Sequence, residues 1–315
     1  MVIVRILAIA ALMFMFSCSQ ESVNSVNAEL PVQQAGESVG QQVAESLSEP
    51  TFQTTWTVKF CSAWSDVYGQ NASYHFTVDN SNPPSTSQQN AMKTNFSSTV
   101  SRWGSFVNRT LSETASNGLE VRLSASGSSG LSPSTCAPIS YLKVSYGSHS
   151  LAILFHELAH TYGLDHQTSQ SSLCNSGGTY DSRSVAERSD VLTPSVGDFN
   201  ALASCFDFSP IGPNFSATAT VPPNQWDCNT KQVNGRFMVN GYDVSSPQVN
   251  GVKWQYLQGG NWYDYAGSFG YYNFTVSTSS PGDGLSPYYV RFYATYHTGT
   301  IYYSSQVKIV STCQQ

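Results

Sequence analysis

Charge is what this chain has least of. Only 11% of its 315 residues are Asp, Glu, Lys or Arg, against 40% hydrophobic and 13% aromatic residues. The 14 Lys and Arg residues are scattered and the net charge is −6, so there is no basic patch to meet phosphates, which argues against nucleic-acid binding. The apolar run Ile6–Phe16 covers eleven residues, too few for a membrane-spanning helix, which needs about 20. Residues 19–50 hold no aromatic side chain, so this stretch cannot bury enough surface to fold alone. No internal repeat is visible. What the chain does have is an uncharged polar surface rich in Ser, Thr, Asn, Gln and Gly, which suits export. It also has enough apolar residues for real cores and enough length for two compact units.

The N-terminus reads as a targeting segment, with Arg5 before the apolar run. The run ends in Met15-Phe16-Ser17-Cys18, which resembles a bacterial lipobox, and on that reading Cys18 is lipidated. The alternative is an ordinary signal peptide cleaved near Ser17 to Gln20. Either reading puts the protein outside the cytoplasm, lipid-anchored at a bacterial envelope or secreted, with membrane contact only through a lipid anchor. Seven cysteines leave one unpaired. With Cys18 lipidated, six remain for three disulfides in an oxidising compartment. One pair per structural unit gives Cys61–Cys136, Cys174–Cys205 and Cys228–Cys313 as the expected set.

Residues 1–18 are therefore the signal segment and 19–50 a tether or pro-segment. Trp56–Phe60 alternates as a half-buried strand does. Met92, Phe96, Val100, Trp103 and Val107 recur at helical spacing between Ser87 and Asn108. Leu119–Leu123 is a second strand, Ser124–Thr135 a loop rich in Ser and Gly, and Ile139–Tyr146 a third strand. A helix capped by Ser148 or Ser150 begins at Leu151 and stops near Gly163. Residues 167–192 look irregular, and Thr193-Pro194 opens a helix running to about Cys205. This order is an α+β pattern over residues 51–206. Residues 207–223, with four prolines in or near them, read as a linker. Residues 224–315 carry short alternating runs, such as Val252–Tyr256, Tyr289–Tyr293 and Ile301–Tyr303, and suggest an all-β immunoglobulin-like sandwich.

Three of the six histidines fall within His156-Glu157-Leu158-Ala159-His160-Thr161-Tyr162-Gly163-Leu164-Asp165-His166. Residues four apart share one helix face, so His156 and His160 can present two imidazole nitrogens to one metal ion. Glu157 stands on the adjoining strip, within reach of a water at that ion without ligating it. Gly163 permits a turn other residues resist, which can bring His166 back as third ligand. Three neutral imidazoles and an open position suit one catalytic zinc ion. Zinc activates a water there, and Glu157 serves as general base.

The eleven-residue pattern resembles the metzincin signature of zinc peptidases, and Gly163-Leu164-Asp165-His166 is similar to the matrixin and adamalysin versions. The resemblance implies a zincin fold over residues 51–206 and endopeptidase activity on polypeptides bound in extended form along an edge strand. By chain order Ile139–Tyr146 corresponds to that strand. Family members place a methionine turn beneath the metal. Here Ser184-Val185-Ala186 stands at that position, with Ala186 for the methionine, and the next methionine after His166 is Met238. A tyrosine that some families supply two residues later is replaced by Arg188. Tyr180 is a second candidate to approach the site.

Other residues have two readings each. His149 is either a fourth ligand or a capping residue. Cys61 is either an inhibitory zinc ligand or half of a disulfide. Trp254, Trp262, Tyr263, Tyr265, Tyr271 and their neighbours either fill a sandwich core or include a surface that binds a glycan or protein ligand. Two functions follow: an exported zinc endopeptidase, or a weakly active or inactive zinc-binding surface lipoprotein acting in adhesion or in protein or glycan binding. Glu157 favours the first, because a pure binder needs no base beside the metal.

Overall fold

The structure, a computed structural model, describes residues 56–57, 59–61, 72–107, 111–134, 136–166, 172–173, 179–205, 212–223 and 227–311. The signal segment, Cys18, the tether, Cys174, Cys313 and the side chains of Tyr180 and Cys205 lie outside the described residues.

The first half is built on a five-stranded sheet. In chain order its elements are β1 (Trp56–Thr57), β2 (Lys59–Phe60), β3 (Ser73–Val78), α1 (Thr86–Gly104), β4 (Ser112–Glu113), β5 (Leu119–Ser124), β6 (Gly130–Ser132), β7 (Tyr141–Ser145), α2 (Leu151–Thr161), β8 (Leu164–Asp165), β9 (Ser172–Leu173), β10 (Thr179–Tyr180) and α3 (Val196–Cys205). The sheet order is β4-β3-β5-β7-β6. All neighbours are parallel except β6, which runs antiparallel to β7 at the edge. Parallel pairing requires crossovers, and α1 supplies the one between β3 and β5.

Ser85 starts α1 with a capping box: its hydroxyl accepts from Gln88 N, and the Gln88 side chain accepts from Ser85 N. The helix ends at Gly104, before the expected Asn108. Its buried residues, Met92, Phe96, Val100 and Trp103, form the apolar stripe that the spacing implied. Trp103 joins α1 to α2: its ring stacks on Phe155 at 4.5 Å, and its indole N–H donates to the Phe155 carbonyl at 3.0 Å. Trp103→Ala is expected to cost about 3–5 kcal/mol in denaturant unfolding, because the void cannot collapse and a carbonyl loses its donor. A cost below about 1 kcal/mol would show that this contact is dispensable.

Four sequence expectations change. Residues 207–223, read as a linker, carry a strand over Phe215–Thr220. β7 is not an edge strand, since β5 and β6 flank it; the antiparallel edge is β6, inside the stretch read as a loop. Three residues rich in Gly and Ser carry no period from which to read a strand. Pro194 does not open α3. Instead Ser195 caps it, with Asp198 N donating to Ser195 Oγ and Ser195 N donating to Asp198 Oδ2. The stretch read as irregular contains the short strands β9 and β10.

Cys61 and Cys136 are joined by a disulfide, which takes Cys61 out of reach as an inhibitory thiolate. Cys228 is disulfide-bonded as well. The first bridge closes a 75-residue separation. Replacing both Cys61 and Cys136 with serine is therefore expected to lower stability by about 2–4 kcal/mol in urea titration, and an unchanged midpoint would contradict that.

The second half is all β. One sheet holds β11 (Phe215–Thr220), β12 (Thr230–Val239), β13 (Tyr242–Asp243) and β16 (Asn273–Ser277), with β12 pairing the other three. The other holds β14 (Val249–Gln258), β15 (Asn261–Asp264), β17 (Tyr288–Tyr296), β18 (Ile301–Tyr303) and β19 (Val307–Ile309), centred on β14 and β17. β11 and β12 pack on β17, and the core between holds Val233, Phe237, Trp254, Phe292 and Tyr296. Of the aromatic residues weighed above, Trp254 is buried, while Tyr263 and Tyr271 are exposed. The described residues of both halves belong to one compact unit. No helix among them is long and apolar enough to cross a membrane.

Candidate metal centre

Ser150 caps α2, its hydroxyl accepting from Ile153 N. With Leu154, Phe155, Leu158 and Ala159 all buried, the helix is packed on most sides, as its apolar composition requires. One turn apart on its inner face, His156 and His160 are buried too. Beyond Tyr162 the chain turns at Gly163, whose φ of +83° lies in the left-handed region that favours glycine. Gly163 O then accepts from Cys61 N, and β8 pairs with β2. That pairing aims the chain so that His166 comes back towards the helix. The three imidazoles converge, with one nitrogen of each lying within 4.8 Å of the others.

The hydrogen bonds settle which nitrogen faces inward. His156 Nδ1 is 2.8 Å from the Val185 carbonyl oxygen, and His160 Nδ1 is 2.7 Å from that of Leu164. A carbonyl only accepts, so each Nδ1 carries the proton and donates, leaving the Nε2 lone pairs to face each other at 3.2 Å. Two lone pairs at that distance repel, and a shared cation relieves the repulsion. Imidazole nitrogens about 2.0–2.1 Å from a tetrahedral zinc ion are themselves about 3.3 Å apart. The donor set therefore fits zinc. Burial holds His156 down at about 4, with the neighbouring His166 adding to the effect, and pulls His160 well below its usual value as well. Both rings are neutral near pH 7, as metal ligands must be.

Glu157 follows His156 on the helix. It is partly exposed at the surface, yet lies deep enough that burial pushes its carboxyl up to about 8. Across from it runs β6: a first side-chain carbon on Gly130 would sit 3.9 Å from Glu157 Oε2. No strand among the described residues pairs with the outer edge of β6.

Beneath the histidines lies the Ser184-Val185-Ala186 turn, with all three residues buried. Asp198 on α3 holds it, accepting from Ser184 Oγ and from Val185 N at 2.9 Å. Burial pushes this carboxyl up to about 7, against the hydrogen bonds that favour its ionised form. Sequence reasoning did not pick out Asp198; the Ser195-x-x-Asp198 spacing was the available signal.

The remaining histidines lie elsewhere. His149 is not in the cluster; its Nδ1 is 2.6 Å from the Tyr146 carbonyl, and its ring stacks on Tyr146. His75 is placed near the Asn117 carbonyl, and His297, in the second half, lies 3.7 Å from the Asp181 carboxylate of the first. In comparisons with known proteins, no family model and no curated protein matches the chain.

Proposed function

We propose that the chain is an exported zinc-dependent endopeptidase of the metzincin type, lipid-anchored at a bacterial envelope or secreted, with an immunoglobulin-like second half. The observation that carries this reading is the convergence of His156, His160 and His166, with the Nε2 lone pairs of the first two facing inward and Glu157 next to His156 on the helix. Zinc held there supplies Lewis-acid polarisation of a carbonyl and brings the pKa of water close to neutrality.

The chain's own residues do the rest. Val185 and Leu164 orient two of the imidazoles through their Nδ1 protons. Glu157 takes the proton from the attacking water and passes it to the leaving amine. The open edge of β6 takes an extended polypeptide as an added strand, which places a scissile bond beside Glu157. The exposed Tyr263 and Tyr271 leave room for a glycan or protein ligand on the second half.

The test is cleavage of a complex peptide mixture by the purified protein and by Glu157→Gln, with zinc quantified in both. Cleavage by the wild type alone supports the peptidase. Zinc in both with cleavage by neither would favour the zinc-binding surface lipoprotein. No zinc in either would end the metal reading.

A further inference from the structure

The segment from Arg183 to Thr193 lies between the candidate metal centre and the β-sheet half of the protein. Two residues after Arg183 it supplies the Val185 carbonyl, which accepts a hydrogen bond from His156 Nδ1. Its two feet are held by one side chain from the other half. Gln248, fully buried in the short 3-10 turn that precedes β14, donates from Nε2 to the carbonyls of Arg183 at 3.3 Å and Thr193 at 2.8 Å. Its Oε1 accepts from Thr193 Oγ1 at 2.6 Å. Both amide protons and the amide oxygen are thus engaged, which fixes the geometry of the amide group.

Neighbouring contacts strengthen the same clamp. Leu192 N donates to Ser245 Oγ at 2.8 Å, and Ser245 N donates to Thr193 Oγ1 at 3.2 Å. Arg183 Nη1 donates to Asn250 Oδ1 at 2.9 Å. His297 N donates to the Gln248 carbonyl at 3.0 Å, and the His297 ring lies 3.7 Å from the Asp181 carboxylate. Asp198 holds the segment from the other side, through Ser184 and Val185. A segment pinned at both feet, and again beside the first foot at Ser184 and Val185, leaves the Val185 carbonyl little backbone freedom.

We propose that Gln248 is a positioning residue for the metal centre: by clamping both feet of the Arg183–Thr193 segment it sets the carbonyl that orients His156. On this view the β-sheet half is a structural part of the site and not an attached module. The inference rests on reading the three histidines as a zinc site. Groups that orient a metal-bound imidazole from behind are worth about 10–100-fold in metal affinity.

The experiment measures zinc affinity of the full chain by competition with a chromophoric chelator, together with the thermal midpoint of the metal-free form. Gln248→Met keeps the side-chain volume and removes all three hydrogen bonds. It is expected to weaken zinc binding by about 10-fold or more. Val233→Ala, in the core of β12 and away from the segment, is the control. It lowers the thermal midpoint and is expected to bind zinc as the wild type does. Equal zinc affinity in Gln248→Met and wild type overturns the positioning role. So does a loss shared by Val233→Ala, because that would be general destabilisation. Should Gln248→Met not fold, Asn250→Ala at the exposed rim decides: a smaller loss supports the clamp, and unchanged affinity overturns it. A wild type that binds no zinc overturns the histidine reading and this inference together, which separates that failure from a failure of the clamp alone.

Discussion

Glu157→Gln is expected to lower the rate of peptide-bond cleavage by about 10²–10⁴-fold while zinc stays bound. The glutamine amide matches the carboxyl in size, so α2 and the two histidines flanking it keep their places. What is lost is a group that can accept a proton from water and release it to an amine. Glu157 does not belong to the nitrogen cluster, so metal content should not change. The result is read from single-turnover cleavage of a peptide library beside zinc analysis of the same samples. Retained cleavage would move the base elsewhere and remove the main argument for Glu157. Lost cleavage with lost zinc would make it a structural support of the metal.

The second large effect concerns the metal and stability. Without a cation, the Nε2 lone pairs of His156 and His160 face each other at 3.2 Å in a buried site. A ligand that binds only the folded state stabilises it by about 4 kcal/mol when present at 1,000 times its Kd. For a unit of this size each kcal/mol moves the thermal midpoint by roughly 2–4 °C. Saturating zinc is therefore expected to raise the midpoint by about 8–16 °C over the chelator-treated protein. His160→Ala should abolish that rise, because it removes the central ligand. The variant does not merely mimic the metal-free wild type, since it also deletes one side of the lone-pair repulsion; its own midpoint in chelator is the proper baseline. A rise of the same size in His160→Ala would place the bound zinc somewhere else.

Much of this site was legible because helices repeat. His156 and His160 stand four apart in an apolar run, and four residues return to the same face whatever the rest of the protein does. Gly163 could be read for a similar reason: only glycine tolerates a left-handed turn at little cost, so its place after the helix marked where the chain bends. The stripe from Met92 to Trp103 was equally plain. All of these are local relations between residue type and backbone geometry.

Other features had no local mark. The β6 edge is three residues long, and its status depends on which strands lie beside it. The two carbonyls that set the histidine tautomers come from the backbone of Leu164 and Val185, and every residue has a carbonyl. Gln248 is one of many glutamines in a chain rich in them, and its partners lie 55 and 65 residues away. Residue types and their spacing marked the candidate ligands, the carboxylate proposed as base and the turn between the ligands, because covalent neighbours and helical pitch alone impose those relations. The supports of the site, the open strand edge and the union of the two halves came only with the packed chain, because they are contacts between distant segments that burial and hydrogen bonding bring together.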